Sequence, residues 1–247
     1  AQWRDMLDVY EPKLALAQGD PEAVRRMRFQ IAALWEDQLE DRQEAIDILR
    51  AVLDEDPEDV EALEALARLY RAEQMFEELS DNLLRQLELA PPAQRAALKL
   101  RLGQVQQRQL GHWSTAVDLY EEVLGEHPEH AGAVEALEDV MIDPDSPVTE
   151  RVSHILEPWY TERARWADLI EALRVQVEHA ETPDDKIALL DRIARIWEDE
   201  LSDPVSAMGA YSRAFAVDVQ HEPTRDQLYR IAEQTLEWDK LVEVLEA

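Results

Sequence analysis

The chain has 247 residues, 55 acidic and 25 basic, and a formal charge of −30. That balance works against binding the nucleic-acid backbone and favours solubility by self-repulsion, or attraction for basic partners. Cysteine is absent, which removes disulfides, thiol nucleophiles and Cys-ligated zinc, and no apolar run approaches the roughly 20 residues that cross a bilayer.

Alanine, leucine, glutamate and arginine dominate and glycine is scarce, a helical composition. Apolar residues recur at three- and four-residue spacing without strand alternation. The pattern predicts about 14 helices: 3–18, 21–39, 42–54, 58–72, 75–89, 92–110, 113–125, 129–141, 148–163, 166–180, 184–201, 204–217, 222–236 and one from 237. Asp20-Pro21, Asp56-Pro57, Ser146-Pro147, Thr182-Pro183 and Asp203-Pro204 each set a capping side chain before proline, the arrangement of a helix start. Pro158 is expected to bend or end the helix at 148–163.

One phrase occurs twice. Ile31-Ala32 through Trp35-Glu36-Asp37 to Leu39 and Asp41 is repeated as Ile193-Ala194 through Trp197-Glu198-Asp199 to Leu201 and Asp203, and a worn copy begins at Leu102-Gly103. Recurrence at a fixed period is the signature of a repeat array. Ala45, Ala116 and Ala207 fall at matching positions, as do Leu49, Tyr120 and Tyr211, at steps of 71 and 91 residues. Trp3, Phe76, Trp166 and Trp238 open corresponding helices. The unit is about 72 residues, or two helix hairpins. This gives repeat units of about 2–74, 75–164 and 165–236 within one array over 1–247, and the start of a further unit at 237–247. The middle unit carries one added helix near 148–163. Ala32, Ala67, Gly103 and Ala194 must be small where helices cross, and the aromatic residues fill the space between hairpins.

These hairpins resemble the tetratricopeptide repeat (TPR), in its divergent bacterial form. Leu66-Ala67 followed by Tyr70, and Ile31-Ala32 or Ile193-Ala194 followed by a tryptophan, resemble the first-helix motif of that family. Glu44-Ala45-Ile46 resembles the small-residue position of its second helix. The turn between Trp35 and Ala45 is one residue longer than the family pattern, Gln106 replaces the aromatic residue in the third copy, and Val219 replaces proline in the last. The resemblance implies an all-α, right-handed α-solenoid whose concave face, lined by first helices, binds a protein or peptide. Carried over by position, that face offers Arg26, Phe29, Glu36, Glu64, Arg68, Arg71, Arg151, His154, Arg195, Glu198 and Arg230. Arginine recurs there in an acidic protein, either to recognise carboxylates in fork geometry or to pair with neighbouring glutamates.

No catalytic constellation accompanies these positions. There is no Gly-rich phosphate loop, His-Glu-x-x-His or nucleophile elbow, and His127-Pro128-Glu129-His130 reads as a solvated turn. No cofactor, metal, nucleic acid or membrane insertion is expected. TPR modules that grip a chaperone's terminal carboxylate use lysine and asparagine, whereas this chain has one asparagine, Asn82, and no lysine on the groove positions. The expectation is a non-enzymatic protein-interaction scaffold with a cytoplasmic location, the periplasm being the alternative. The alternatives are a regulatory or substrate-recruiting arm of an enzyme whose catalytic domain lies outside this chain, and a self-assembling rod. Trp238, Leu241, Val242 and Leu245 form an apolar stripe with no following helix, from which further repeats or self-association are expected.

Overall fold

The computed structural model describes residues 9–10, 12–14, 16–17 and 19–246, so most of the expected opening helix at 3–18, with Trp3, lies outside the described residues. Among the described residues the chain is all helix, without a strand, in two compact units that divide between His130 and Ala131. The first holds α1 (Pro21–Asp37), α2 (Arg42–Glu55), α3 (Val60–Ala72), α4 (Phe76–Leu89), α5 (Pro92–Arg108) and α6 (Trp113–Glu126). The second holds α7 (Ala131–Ile142), α8 (Thr149–Glu162), α9 (Trp166–His179), α10 (Pro183–Arg195), α11 (Pro204–Val217), α12 (Glu222–Thr235) and α13 (Trp238–Glu246). A single π-helical turn, Ile196–Glu200, extends α10. Within each unit every helix packs on the next, as in a solenoid of hairpins. Two helices, α7 and α8, follow α6 before α9, where α3 alone stands between α2 and α4, so the middle unit carries one added helix.

Capping chemistry sets several helix starts. The side chains of Asp20, Asp41, Thr182 and Asp203 accept hydrogen bonds from the backbone N–H three residues on, each satisfying one of the donors a first turn leaves open. Two expected starts move. Asp56-Pro57 forms a turn in which Asp56 accepts from the Glu58 N–H, and α3 begins only after Asp59, which caps Ala62. Ser146-Pro147 likewise forms a turn, with Ser146 Oγ accepting from the Val148 N–H before α8 begins at Thr149. Each side chain bonds the N–H two residues on, which lies before the helix, in place of a first-turn donor. Pro158 does not end its helix: α8 runs through it to Glu162. The proline is exposed, so the carbonyl that loses its donor faces water.

Helix ends repeat as strictly as the starts. After α1, α5 and the π turn, the N–H groups of Leu39, Leu110 and Leu201 reach back to the carbonyls of Leu34, Val105 and Ile196, and those of Asp41, His112 and Asp203 to Trp35, Gln106 and Trp197. This wide turn absorbs the extra residue between Trp35 and Ala45. It needs one left-handed residue, supplied by Glu40, Gly111 and Ser202 at steps of 71 and 91. A second set of left-handed residues, Gln74, Ala164 and Leu236, closes α3, α8 and α12.

The core runs along the hairpin seams. Ala45, Ile46, Leu66, Leu79 and Leu83 are fully enclosed in the first unit, and Leu137, Val152, Leu156, Leu173 and Leu228 in the second. Gly103 shows why its position must be small: a Cβ there would lie 2.4 Å from Cε1 of Tyr120 on the facing helix. Tyr120, Tyr160 and Tyr211 are buried, whereas Trp35 and Trp197 are half-buried and Trp238 is exposed. Of the expected C-terminal stripe, Leu241 is covered, and Trp238, Val242 and Leu245 remain exposed.

Candidate partner-binding grooves

First helices of successive hairpins lie side by side, and ion pairs 32 to 36 residues apart fix their register. Near the start of α1, Arg25 donates to Asp59 at 2.5 and 3.1 Å and to Glu61 at 2.6 Å. At its end, Glu36 accepts both guanidinium arms of Arg68. The second unit repeats the latter pair: Glu198 accepts both arms of Arg230 at 2.8 Å. Glu36 and Glu198 are the same position of the repeated phrase, and their partners share the same 162-residue offset. Glu198 also accepts from the Tyr211 hydroxyl at 3.2 Å; burial and the Glu198 charge push that phenol up to about 12. In the middle copy the position is Gln107, which accepts from Tyr120 at 3.0 Å. A fourth pair joins Arg192 of α10 to Glu157 of α8.

Asp59 and Glu157 are carboxylates drawn into this ladder. Burial pushes both up, but the hydrogen bonds from Arg25 to Asp59, and from Gln176 and Arg192 to Glu157, outweigh it and hold each below the usual carboxylate range. The Asp59 side chain is 3% exposed, so the ionised form depends on Arg25.

Between the first helices lie grooves. One, of about 330 Å³, runs between α3, α4 and α5. Another, of about 630 Å³, runs between α8, α9 and α10. Their linings match position by position at steps of 90 or 91 residues: Val60 with Glu150, Glu64 with His154, Gln86 with Gln176, Leu89 with His179, Gln94 with Asp185, and Arg101 with Arg192. The chemistry does not match. The first groove is largely aliphatic around one carboxylate and one guanidinium, while the second is acidic and carries two histidines. A third, smaller groove of about 270 Å³ between α10 and α12 is lined by Asp184, Asp191, Arg195, His221 and Gln227. A wider depression of about 790 Å³ on the side of α2 and α4 holds Arg50, Asp54, Tyr70, Glu78 and Asn82.

The expected surface residues divide among these settings. Glu64 and His154 line the first two grooves and Arg195 the third, where Arg195 pairs with Asp191 at 2.7 Å. His154 lies 3.9 Å from Glu157. Glu36, Arg68, Glu198 and Arg230 are bound to one another in the ladder. Phe29 is half-buried under the Arg25 guanidinium, 4.7 Å from the ring centre. Arg26 and Arg71 are exposed and, among the described residues, form no ion pair, and Arg151 is half-buried. Position-by-position reading missed Arg101 and Arg192, which line the first and second grooves. Their shared 91-residue step was available in the sequence, because Ala116 and Ala207 keep the same step. Among the described residues no cluster of histidine and carboxylate side chains could hold a metal ion, and no helix is long and apolar enough to cross a membrane.

Two tetratricopeptide-repeat family patterns match, one over residues 62–97 and the other over 96–130. No curated protein sequence matches the chain. Solved structures with a similar backbone include the TPR2AB domain of yeast Sti1 in complex with an HSP90 peptide, at 14% identity and TM-score 0.37, covering 96% of this chain and 89% of that one. A tetratricopeptide repeat protein from Parabacteroides merdae aligns at 14% identity and TM-score 0.40, covering 93% and 96%. Yeast Tom70 aligns at 13% identity and TM-score 0.34, covering 89% of this chain and 42% of that chain. The repeat patterns fall on α3 to α6, where the hairpins and the first groove were found.

Proposed function

We propose that this TPR-like helical repeat protein is a protein–protein interaction scaffold that holds its partners against the first-helix face. The observation that carries the reading is the recurrence of one groove at equivalent repeat positions, lined by side chains of differing charge. A repeat array offers such a surface because each hairpin adds one similar but separately adjustable segment. The ion-pair ladder supports it by holding neighbouring first helices in fixed register, so that the grooves are formed before a partner arrives. Pre-formed sites lower the ordering cost of binding. The exposed Trp238, Val242 and Leu245 of α13 favour a second contact surface, through which self-association is expected.

A photo-crosslinking amino acid placed at Gln94 and at Ala188 probes the two main grooves, and the same residue at Leu84 and Arg213 probes the second helices. In extracts of the native source, discrete adducts from the groove positions and none from the second-helix positions would support the proposal. Adducts confined to Leu84 and Arg213 would overturn it. Sedimentation at increasing concentration tests self-association, which should weaken on Trp238→Ser.

A further inference from the structure

Arg101 lies in the first groove, where Glu64 is the one carboxylate and does not pair with it. It is half-buried on α5 and forms no ion pair among the described residues. Its counterpart Arg192 is held by Glu157, which also accepts from Gln176 at 2.8 Å. The position matching Glu157, 90 residues earlier, is Ala67. Ala67 is buried at a helix crossing and cannot become a glutamate without a clash. Gln86, the counterpart of Gln176, is turned to other acceptors and donates to the Leu63 carbonyl and to Asn82. The first groove thus keeps the arginine of the second groove and lacks its anion.

The surroundings increase that deficit. Arg71 on α3 also forms no ion pair among the described residues, and burial together with the Arg71 charge holds the Arg101 guanidinium below its ordinary range, with Glu64 opposing only in part. Two like charges at a partly desolvated place are unfavourable until an anion joins them. The walls are aliphatic: Val60 is 51% exposed and Leu89 is 36% exposed, beside Ala93 and Ala97.

We propose that the groove between α3, α4 and α5 binds a partner segment that presents one acidic side chain between aliphatic ones, its carboxylate taken in fork geometry by Arg101 with Arg71 alongside. This rests on the scaffold reading above and names the chemistry of one partner. The matching groove in the second unit rejects the same segment, because Glu157 already occupies Arg192, and Glu150, Glu181 and Asp185 repel a carboxylate. In a chain of charge −30, an acidic partner fits best at such a place, where two guanidinium groups face a single carboxylate.

A library of random dodecapeptides, displayed with both ends joined to the carrier so that no free terminus is presented, is selected against the whole protein and against Arg101→Gln, Arg71→Gln and Glu157→Gln. Peptides with Asp or Glu flanked by Leu, Ile or Val should be enriched. As single synthetic peptides they should bind about tenfold more weakly to Arg101→Gln, the loss expected of a charge-assisted fork. Arg71→Gln should weaken them by a smaller factor. Glu157→Gln should leave their binding unchanged, because Glu150, Glu181 and Asp185 still repel a carboxylate in the second groove. Arg101→Gln removes an uncompensated cation and should melt no lower than the parent. Enrichment of basic or neutral peptides, or acidic peptides indifferent to both arginines, would overturn the inference while leaving the scaffold reading standing. Enrichment of nothing on any variant would overturn both.

Discussion

Gly103→Ala is a single added methyl whose cost can be worked out from the contacts it meets. The new Cβ would stand 2.4, 2.9 and 3.0 Å from three ring carbons of Tyr120. Restoring ordinary contact requires the ring to retreat by roughly 1 Å inside a close-packed seam. Tyr120 is fully buried and its hydroxyl donates to Gln107, itself buried, at 3.0 Å, so a retreat also strains that bond. Overpacking costs about 1–3 kcal/mol and the strained hydrogen bond about 1 kcal/mol, offset by about 1 kcal/mol from the better helix propensity of alanine. A net loss of about 1–3 kcal/mol should lower the urea midpoint by roughly 1 M. The first copy pairs Ala32 with Leu49 at the corresponding places. In a Tyr120→Leu background the alanine should therefore be neutral or stabilising. The third copy has Ala194 with Tyr211, and there the helix widens into a π turn two residues later, a relief that α5 lacks. An unchanged midpoint for Gly103→Ala, or the same loss in both backgrounds, would refute the steric argument.

Ala164 closes α8 in the left-handed region, with φ of 52°. Ala164→Gly should raise stability by about 1 kcal/mol in urea melts by removing that strain, and a loss would show that the turn relaxes differently. Glu198→Gln, Arg230→Met and the double variant form a thermodynamic cycle. Because the Glu198 side chain is only 15% exposed and the pair is bidentate, the coupling should be about 1 kcal/mol and fall with salt. Asp59 and Glu157 titrate lower in the folded than in the unfolded chain, so their stabilisation is complete above the ordinary carboxylate range and is lost as pH falls through the folded values. Between about pH 5 and 3 the stability of the parent should therefore drop more steeply than that of Glu157→Gln, and parallel pH profiles would contradict the assignment.

Helical class, hairpin period and small-residue crossings were legible in the sequence because each depends on local periodicity. Asp20, Thr182 and Asp203 were readable as caps for the same reason. Asp56 and Ser146 were misread because a cap is defined by the donor it reaches, and the preceding turn decides that. Trp35 and Trp197 look like core residues by type, yet each stays half-buried. The ladder partners were hidden for a different reason. Glu36 with Arg68, or Glu157 with Arg192, meet only when the register of two neighbouring hairpins is known. Arg101 was missed because its distinguishing property is a missing partner, which becomes visible only when its copy at Arg192 is seen to have one.

The ladder has a consequence for how the array responds to its medium. Its rungs at Arg25–Asp59, Glu36–Arg68, Glu157–Arg192 and Glu198–Arg230 join one hairpin to the next rather than the two helices within a hairpin. Added electrolyte weakens partly exposed charge pairs and leaves aliphatic seams almost untouched. Ionic strength therefore acts on the coupling between neighbours while sparing the neighbours themselves, and a salt titration should loosen the joints of the array before it melts any segment.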